Sequence, residues 1–200
     1  MYELPVSFNI DGIEYHITNK GDYRMILDCF AALEDVELSK DERLCATLII
    51  FFEEINSLMD IQKVNNLQEL VNRMYSFFNC GQAESPGMNT HYKLIDWEQD
   101  SHLICSAIND VARTEIRTEP YIHWWTFMGY YTAVGKSLLS TVISIRYKIA
   151  NGKKLEKNER DFKRENPAYF IWKSKTVEQN EADELVKQLW NSNSQGESNG

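Results

Sequence analysis

The densest run of residues able to do chemistry in this 200-residue chain is Asp96-Trp97-Glu98-Gln99-Asp100-Ser101-His102. On a helix, Asp96 and Asp100 share a face at i, i+4. They would suit a divalent metal, with His102 near enough to act as a base. Carboxylates in a first helical turn also answer the positive end of the helix macrodipole. No glycine-rich or second acidic motif completes a metal-dependent hydrolase or nuclease. The capping reading is adopted: no enzyme, no cofactor and no metal are expected. Asp96→Ala and Asp100→Ala should then each cost only a helix cap, about 0.5–2 kcal/mol. An enzyme built on the cluster would instead be stabilised by metal, as any ligand of the native state stabilises it.

A second concentration is His123-Trp124-Trp125-Thr126-Phe127. Two indoles beside a histidine suit a cation cage, a hydrophobic core or a protein interface. Adjacent helical residues point about 100° apart, so both tryptophans are buried only if the helix is surrounded. A third is basic: Ile145-Arg146-Tyr147-Lys148, then Gly152-Lys153-Lys154-Leu155-Glu156-Lys157-Asn158-Glu159-Arg160. It suits phosphates or an acidic partner, or it is a solvated helix supported by Glu156–Arg160 and Glu159–Lys163 pairs. Trp124, Trp125, Lys153, Lys154, Lys157 and Arg160 are therefore the candidate partner-binding residues. Four scattered histidines make no zinc pattern, and no nucleophile–histidine–acid order carries a recognisable local signature.

The elements that must position these residues are mainly helical. Leu4, Val6, Phe8 and Ile10 alternate with polar residues and Pro5, Asp11-Gly12 follows, and Ile13, Tyr15 and Ile17 alternate after it. Asp-Gly between alternating runs specifies a type I′ hairpin, here over residues 3–18, with Ile10 opposite Ile13, Phe8 opposite Tyr15 and Val6 opposite Ile17. A lone hairpin is marginal in water, so its apolar face must cover something. Helices follow: one after an Asp22 cap (Tyr23 to Ala31), one after the Ser39–Glu42 capping box (Leu44 to Ile55), and one over Leu67–Phe78. A fourth is expected from Asp96, with Gln99 as reciprocal cap. Pro120 should lie in the first turn of the next element. That element is apolar on most sides from Trp124 to Ile149, divided near Gly135 and closed by Asn151-Gly152. Cys80 to Thr90 is the internal loop. The fold class is mainly α, a bundle of about five to seven helices with an N-terminal β-hairpin. It forms a single domain over 1–190 with a disordered tail at 191–200.

Composition excludes several functions. The net charge of −9 argues against nucleic acid and anionic membrane as partners. The charge is segregated: residues 153–175 carry eight Lys/Arg against four Asp/Glu, while the preceding chain is acidic. Residues Pro120 to Ile145 carry a single formal charge, Lys136, yet hold proline, glycines, histidine and hydroxyls, which suits a buried helix or helix pair better than a membrane span. Cys29, Cys45, Cys80 and Cys105 form no Cys-x-x-Cys pair, and the N-terminus has no basic segment followed by an apolar signal core. A reducing cytosol is the expected location.

Together, Asp22-Tyr23-Arg24, the Asp96–Asp100 string, His123 to Tyr131, and Ser144-Ile145-Arg146-Tyr147-Lys148 leading to Gly152–Lys157 resemble the gene-product-fifteen family of long-tailed phages and prophages. The resemblance covers most of residues 1–165. It implies a gene in the tail module and a tail-assembly chaperone that coats the tape-measure protein, with tail-tube protein as a further partner. It carries no catalytic residues. The alternative within the same setting is a structural virion component, for tail completion or head–tail connection. Segregated charge would also support self-association along the substrate.

Overall fold

The computed structural model describes residues 3–82 and 93–172. It contains a two-stranded antiparallel hairpin, β1 (Ser7–Ile10) and β2 (Ile13–His16), followed by eight α-helices among the described residues. They are α1 (Tyr23–Leu33), α2 (Lys40–Phe51), α3 (Leu58–Gln62), α4 (Leu67–Phe78), α5 (Ser101–Ala112), α6 (Trp124–Thr132), α7 (Leu138–Ala150) and α8 (Lys157–Glu165). None is long and apolar enough to cross a membrane. The mainly helical class with its N-terminal hairpin is as the sequence implies. The additional short helix is α3, five residues capped by Ser57, too brief to show a period. Contacts divide the chain into one unit through Leu155 and a second from Glu156. Residues 173–175 of the basic segment, the 191–200 tail and most of the Cys80–Thr90 loop lie outside the described residues.

The hairpin has the expected register, Phe8 opposite Tyr15 and Ile10 opposite Ile13. Asp11 and Gly12 both take positive φ, 51° and 83°, as a type I′ turn requires. Ile17 N–H donates to the Val6 carbonyl at 2.8 Å, continuing the ladder. Ile10, Tyr15 and Ile17 are buried, whereas Val6 and Ile13 stay exposed. What the hairpin covers is aromatic: Phe8 meets Phe77 edge-on and Tyr15 meets Phe52.

Three element boundaries differ from expectation, each for a tertiary reason. Helix α2 stops at Phe51 instead of running to Ile55, because Phe52 pairs with Ile17 as an isolated bridge and Glu53 N–H donates to the His16 carbonyl. Leaving the helix lets Phe51, Phe52 and Ile55 all be buried. Asp96 does cap a turn, accepting from Glu98 and Gln99 N–H at 3.0 and 2.7 Å, but helix α5 itself begins at Ser101. Pro120 is not in a first helical turn: α6 begins at Trp124 with His123 as cap. The preceding segment is held against α1, where Tyr23 N–H donates to the Ile122 carbonyl and Ile122 N–H to Asp22. Gly135 does separate α6 from α7. Asn151-Gly152 ends α7 through paired bonds from Gly152 and Lys153 N–H to the carbonyls of Ile149 and Lys148.

The core of the first unit is aromatic. Tyr23 stacks on Phe127 at 4.5 Å, Trp124 contacts Phe30, Trp97 and Phe127, and Phe51 meets both Phe77 and Phe78. Such pairs contribute about 0.5–1.5 kcal/mol each beyond the area they bury. The second unit places α8 beside a short turn at Pro167–Tyr169, with Phe162 edge-on to Phe170.

Between β2 and α1 the chain makes a turn in which Asn19, Lys20 and Gly21 all have positive φ, at 49°, 54° and 77°. Gly21 is the position that admits no side chain: a Cβ there would lie 2.6 Å from Phe77 Cζ and 3.3 Å from His123 Nε2. Gly21→Ala should lower stability by about 1–3 kcal/mol through backbone strain and overpacking. Gly129→Ala, in helical α6 with nothing within 4 Å of its Cβ, should be neutral or stabilise by about 0.5–1 kcal/mol. Urea midpoints of the two variants check both signs.

Candidate functional site

The acidic and aromatic strings singled out in the sequence take part in two polar clusters of the first unit, which also carries an open groove. In the first cluster Asp22 caps α1, accepting from Arg24 N–H, and its other oxygen accepts from Ile122 N–H at 3.0 Å. Arg24 returns to the same carboxylate through Nη1. Its Nη2 donates to the carbonyls of Ile116, Arg117 and Glu119, the last at 2.7 Å. One guanidinium thus strings the 116–119 loop onto the start of α1, a use suited to its planar, five-donor fork.

His123 completes this cluster. Its Nδ1 accepts from Trp125 N–H, so the proton sits on Nε2, which donates to the Pro5 carbonyl at 3.0 Å. Burial pushes its pKa below the ordinary 6.5, against the opposing pull of the Pro5 carbonyl. His123 therefore serves as a neutral cap and strap. His16 is its opposite. It is exposed, and Glu54, at 2.5 Å from its Nδ1, raises its pKa, with Glu14 and Glu53 adding to the effect.

The second cluster uses the residues with the strongest metal-site pattern. Asp100 is buried and bidentate with the buried Arg146 guanidinium, at 2.6 and 2.9 Å, and its Oδ2 also accepts from Asp96 N–H. Arg146 Nη1 donates further to the Leu94 carbonyl. Asp96 is paired with Lys93 at 2.9 Å, and Lys93 also with Glu34. The metal geometry does not arise, because each carboxylate faces its own backbone N–H groups and its own cation. Among the described residues no three Asp, Glu, His or Cys side chains gather to hold an ion, and the four cysteines are free thiols.

The two tryptophans close the end of α4. Trp124 Nε1 donates to the Phe78 carbonyl and Trp125 Nε1 to the Phe77 carbonyl, both at 2.9 Å. Both carbonyls belong to the last turn of a helix, where backbone partners run short; that of Phe77 also accepts from Cys80 N–H at 3.0 Å. Trp124 is 1 % exposed, so a partner would reach its indole only by opening the core, while Trp125 is half-buried. Lys153 is exposed and its Nζ lies 4.7 Å from the Tyr147 ring centre. Lys154 is exposed in the same unit. Lys157 and Arg160 lie in the second unit on α8, both exposed.

One feature was not legible from residue spacing: a groove of about 950 Å³ formed by the left-handed turn, α1, the end of α2 and the 117–121 loop. Lys20, Asp28, Glu53, Arg117 and Tyr121 are among its walls. These residues are widely separated in sequence, and the turn that gathers them depends on positive φ at two non-glycine residues.

The family model for Bacteriophage Gp15 protein matches residues 1–170, a span that includes both clusters and the groove. The chain belongs to the bacteriophage Gp15 family. No curated protein and no solved structure gives a significant match. Membership supports a structural or assembly role in a phage. In this Gp15 protein the family-like strings pair with one another: Asp22 and Arg24 with the loop before His123, Asp100 with Arg146, and Trp97 with Trp124.

Two measurements follow from this geometry. Asp100→Ala would strand a buried guanidinium, so its cost should rise from the cap-sized value the sequence suggests to about 3–5 kcal/mol, whereas Asp96→Ala should stay within about 0.5–2 kcal/mol. Chemical denaturation compares them. In an NMR titration His16 should have its midpoint above 6.5 and His123 below. The link to stability follows in sign. The His16 contribution is full below about pH 6.5 and is lost as pH rises through its folded pKa. The His123 contribution is present above about pH 6.5 and is lost as pH falls toward its lowered folded pKa.

Proposed function

We propose that this Gp15 protein is a non-enzymatic tail-assembly factor acting in the host cytoplasm, a chaperone that holds the tape-measure protein during tail morphogenesis. The observation that carries the reading is an apolar stripe left on a helix otherwise used for the core. On α4, Leu70, Met74, Phe77 and Phe78 are buried, while Leu67 and Tyr75 are exposed and Val71 is half-buried between them. Leu67, Val71 and Tyr75 recur at i, i+4, i+8 and so run along one edge of the same apolar face, where it emerges from the core. Leu58 and Met59 of α3 are 59 % and 71 % exposed. Such a stripe suits a long amphipathic helix laid against it, the chemistry a tape-measure protein presents. The acidic surface keeps the chaperone itself soluble. The residues with catalytic chemistry in the family-like strings are engaged in holding the fold, which favours binding over reaction.

Co-expression with the tape-measure protein of the same phage, followed by affinity capture and native mass spectrometry, tests the reading. Soluble tape-measure protein carrying several copies of this chain is the expected result, with Leu67→Ser/Tyr75→Ser reducing its recovery while the variant stays folded. Insoluble tape-measure protein beside an unbound chain would overturn it. So would finding the chain at fixed stoichiometry in purified virions, the signature of a structural component.

A further inference from the structure

We propose that the groove beside the left-handed turn receives the basic segment 153–164 of a second copy, joining molecules head to tail. This inference does not rest on the chaperone reading. Charge complementarity carries it. Residues 1–152 have 21 Asp/Glu against 12 Lys/Arg, and the 153–175 segment reverses the sign. Within the groove the arginines are already occupied. Arg24 is bound to Asp22 and three carbonyls, and Arg117 is held by both oxygens of Glu115 at 2.7 Å. Two of the lining carboxylates are not: Asp28 and Glu53 are exposed, and neither side chain makes a hydrogen bond or ion pair among the described residues. Lys20 on the same wall is the opposing charge. Glu119 also lines the groove, and its Oε1 accepts from Thr114.

The negative rim extends beyond the groove. Glu53 adjoins Glu54, which holds His16 at its side chain, and Glu14 lies near the same imidazole, so three carboxylates cluster beside the groove. The incoming segment offers Lys154, Lys157 and Lys163, all exposed, on stems long enough to lie along apolar walls with their charges at the rim. A volume of about 950 Å³ holds several such side chains. The two complementary surfaces are different patches of the same chain. The contact is therefore heterologous, and repeating it extends an open array unless the rotation closes a ring.

Sedimentation velocity on the full chain tests the proposal, using a groove-reversed variant (Asp28→Lys/Glu53→Lys) and a segment-reversed variant (Lys154→Glu/Lys157→Glu/Lys163→Glu). All five positions are exposed, and circular dichroism checks that both variants are folded. The wild type should form concentration-dependent oligomers at low salt and dissociate at high salt, as screening requires. Each variant alone should be monomeric, and an equimolar mixture should assemble again, because each groove then meets a segment of opposite sign. A wild type that stays monomeric at low salt would overturn the proposal. So would variants that assemble as the wild type does, a mixture that stays monomeric, or a monomer whose segment cross-links to its own groove.

Discussion

The arrangement of the first unit depends on a buried charge pair. Arg146 projects from α7 into the interior and meets Asp100 just ahead of α5, with side chains 5 % and 1 % exposed. Removing two such charges from water costs several kcal/mol per ion, and only excellent geometry with every remaining donor and acceptor used offsets it. Two short bonds between the charges, the Leu94 carbonyl and Asp96 N–H supply that geometry. Among the described residues no buried side-chain nitrogen or oxygen lacks a partner. The pair leaves α7 one seat in which Arg146 is neutralised. That seat sets α7 against α5 and places Trp97, three residues before Asp100, against Trp124 and Phe30.

The Asp22–Arg24 cluster does the same work at the other end of α6. It fixes the 116–122 segment against α1, which places His123 as a cap and aims the two indoles at the end of α4. The strings that looked most like chemistry are thus mutual partners within one structure. Their spacing reflects tertiary closure, which explains why residue types suited to metal or acid–base work occur without the convergent geometry an active site needs.

Much of the architecture could be read from local signals because each signal had a local cause. Asp11-Gly12 requires positive φ at two positions, Ser39 and Glu42 form a reciprocal cap, and the apolar period of Leu67–Phe78 matches one helix face. What was not legible depends on residues distant in sequence. Asp100 resembles a helix cap until Arg146, 46 residues later, claims it. Phe52 reads as helical until Ile17 pairs with it. Pro120 looks like a helix start until Arg24 and Asp22 hold its neighbours extended. The groove was not legible for the same reason: its walls come from three separate stretches, 18–28, 50–53 and 117–121, gathered by a turn in which Asn19 and Lys20 adopt a conformation unusual for their types.

With polar chemistry committed to closure, the exposed apolar stripe on α4 and the segregated charge are features that holding the fold does not use, and family membership supports a structural or assembly role in a phage. The claim beneath this account is that Asp100 and Arg146 act as one unit in stabilising the fold. A double-mutant cycle tests it most directly, using Asp100→Leu, Arg146→Met and the double variant, each measured by urea unfolding. The account predicts strong coupling: each single change is severely destabilising, while the double variant recovers much of the loss because no buried charge is left alone. Additive losses, with the double variant as unstable as the two singles summed, would contradict it.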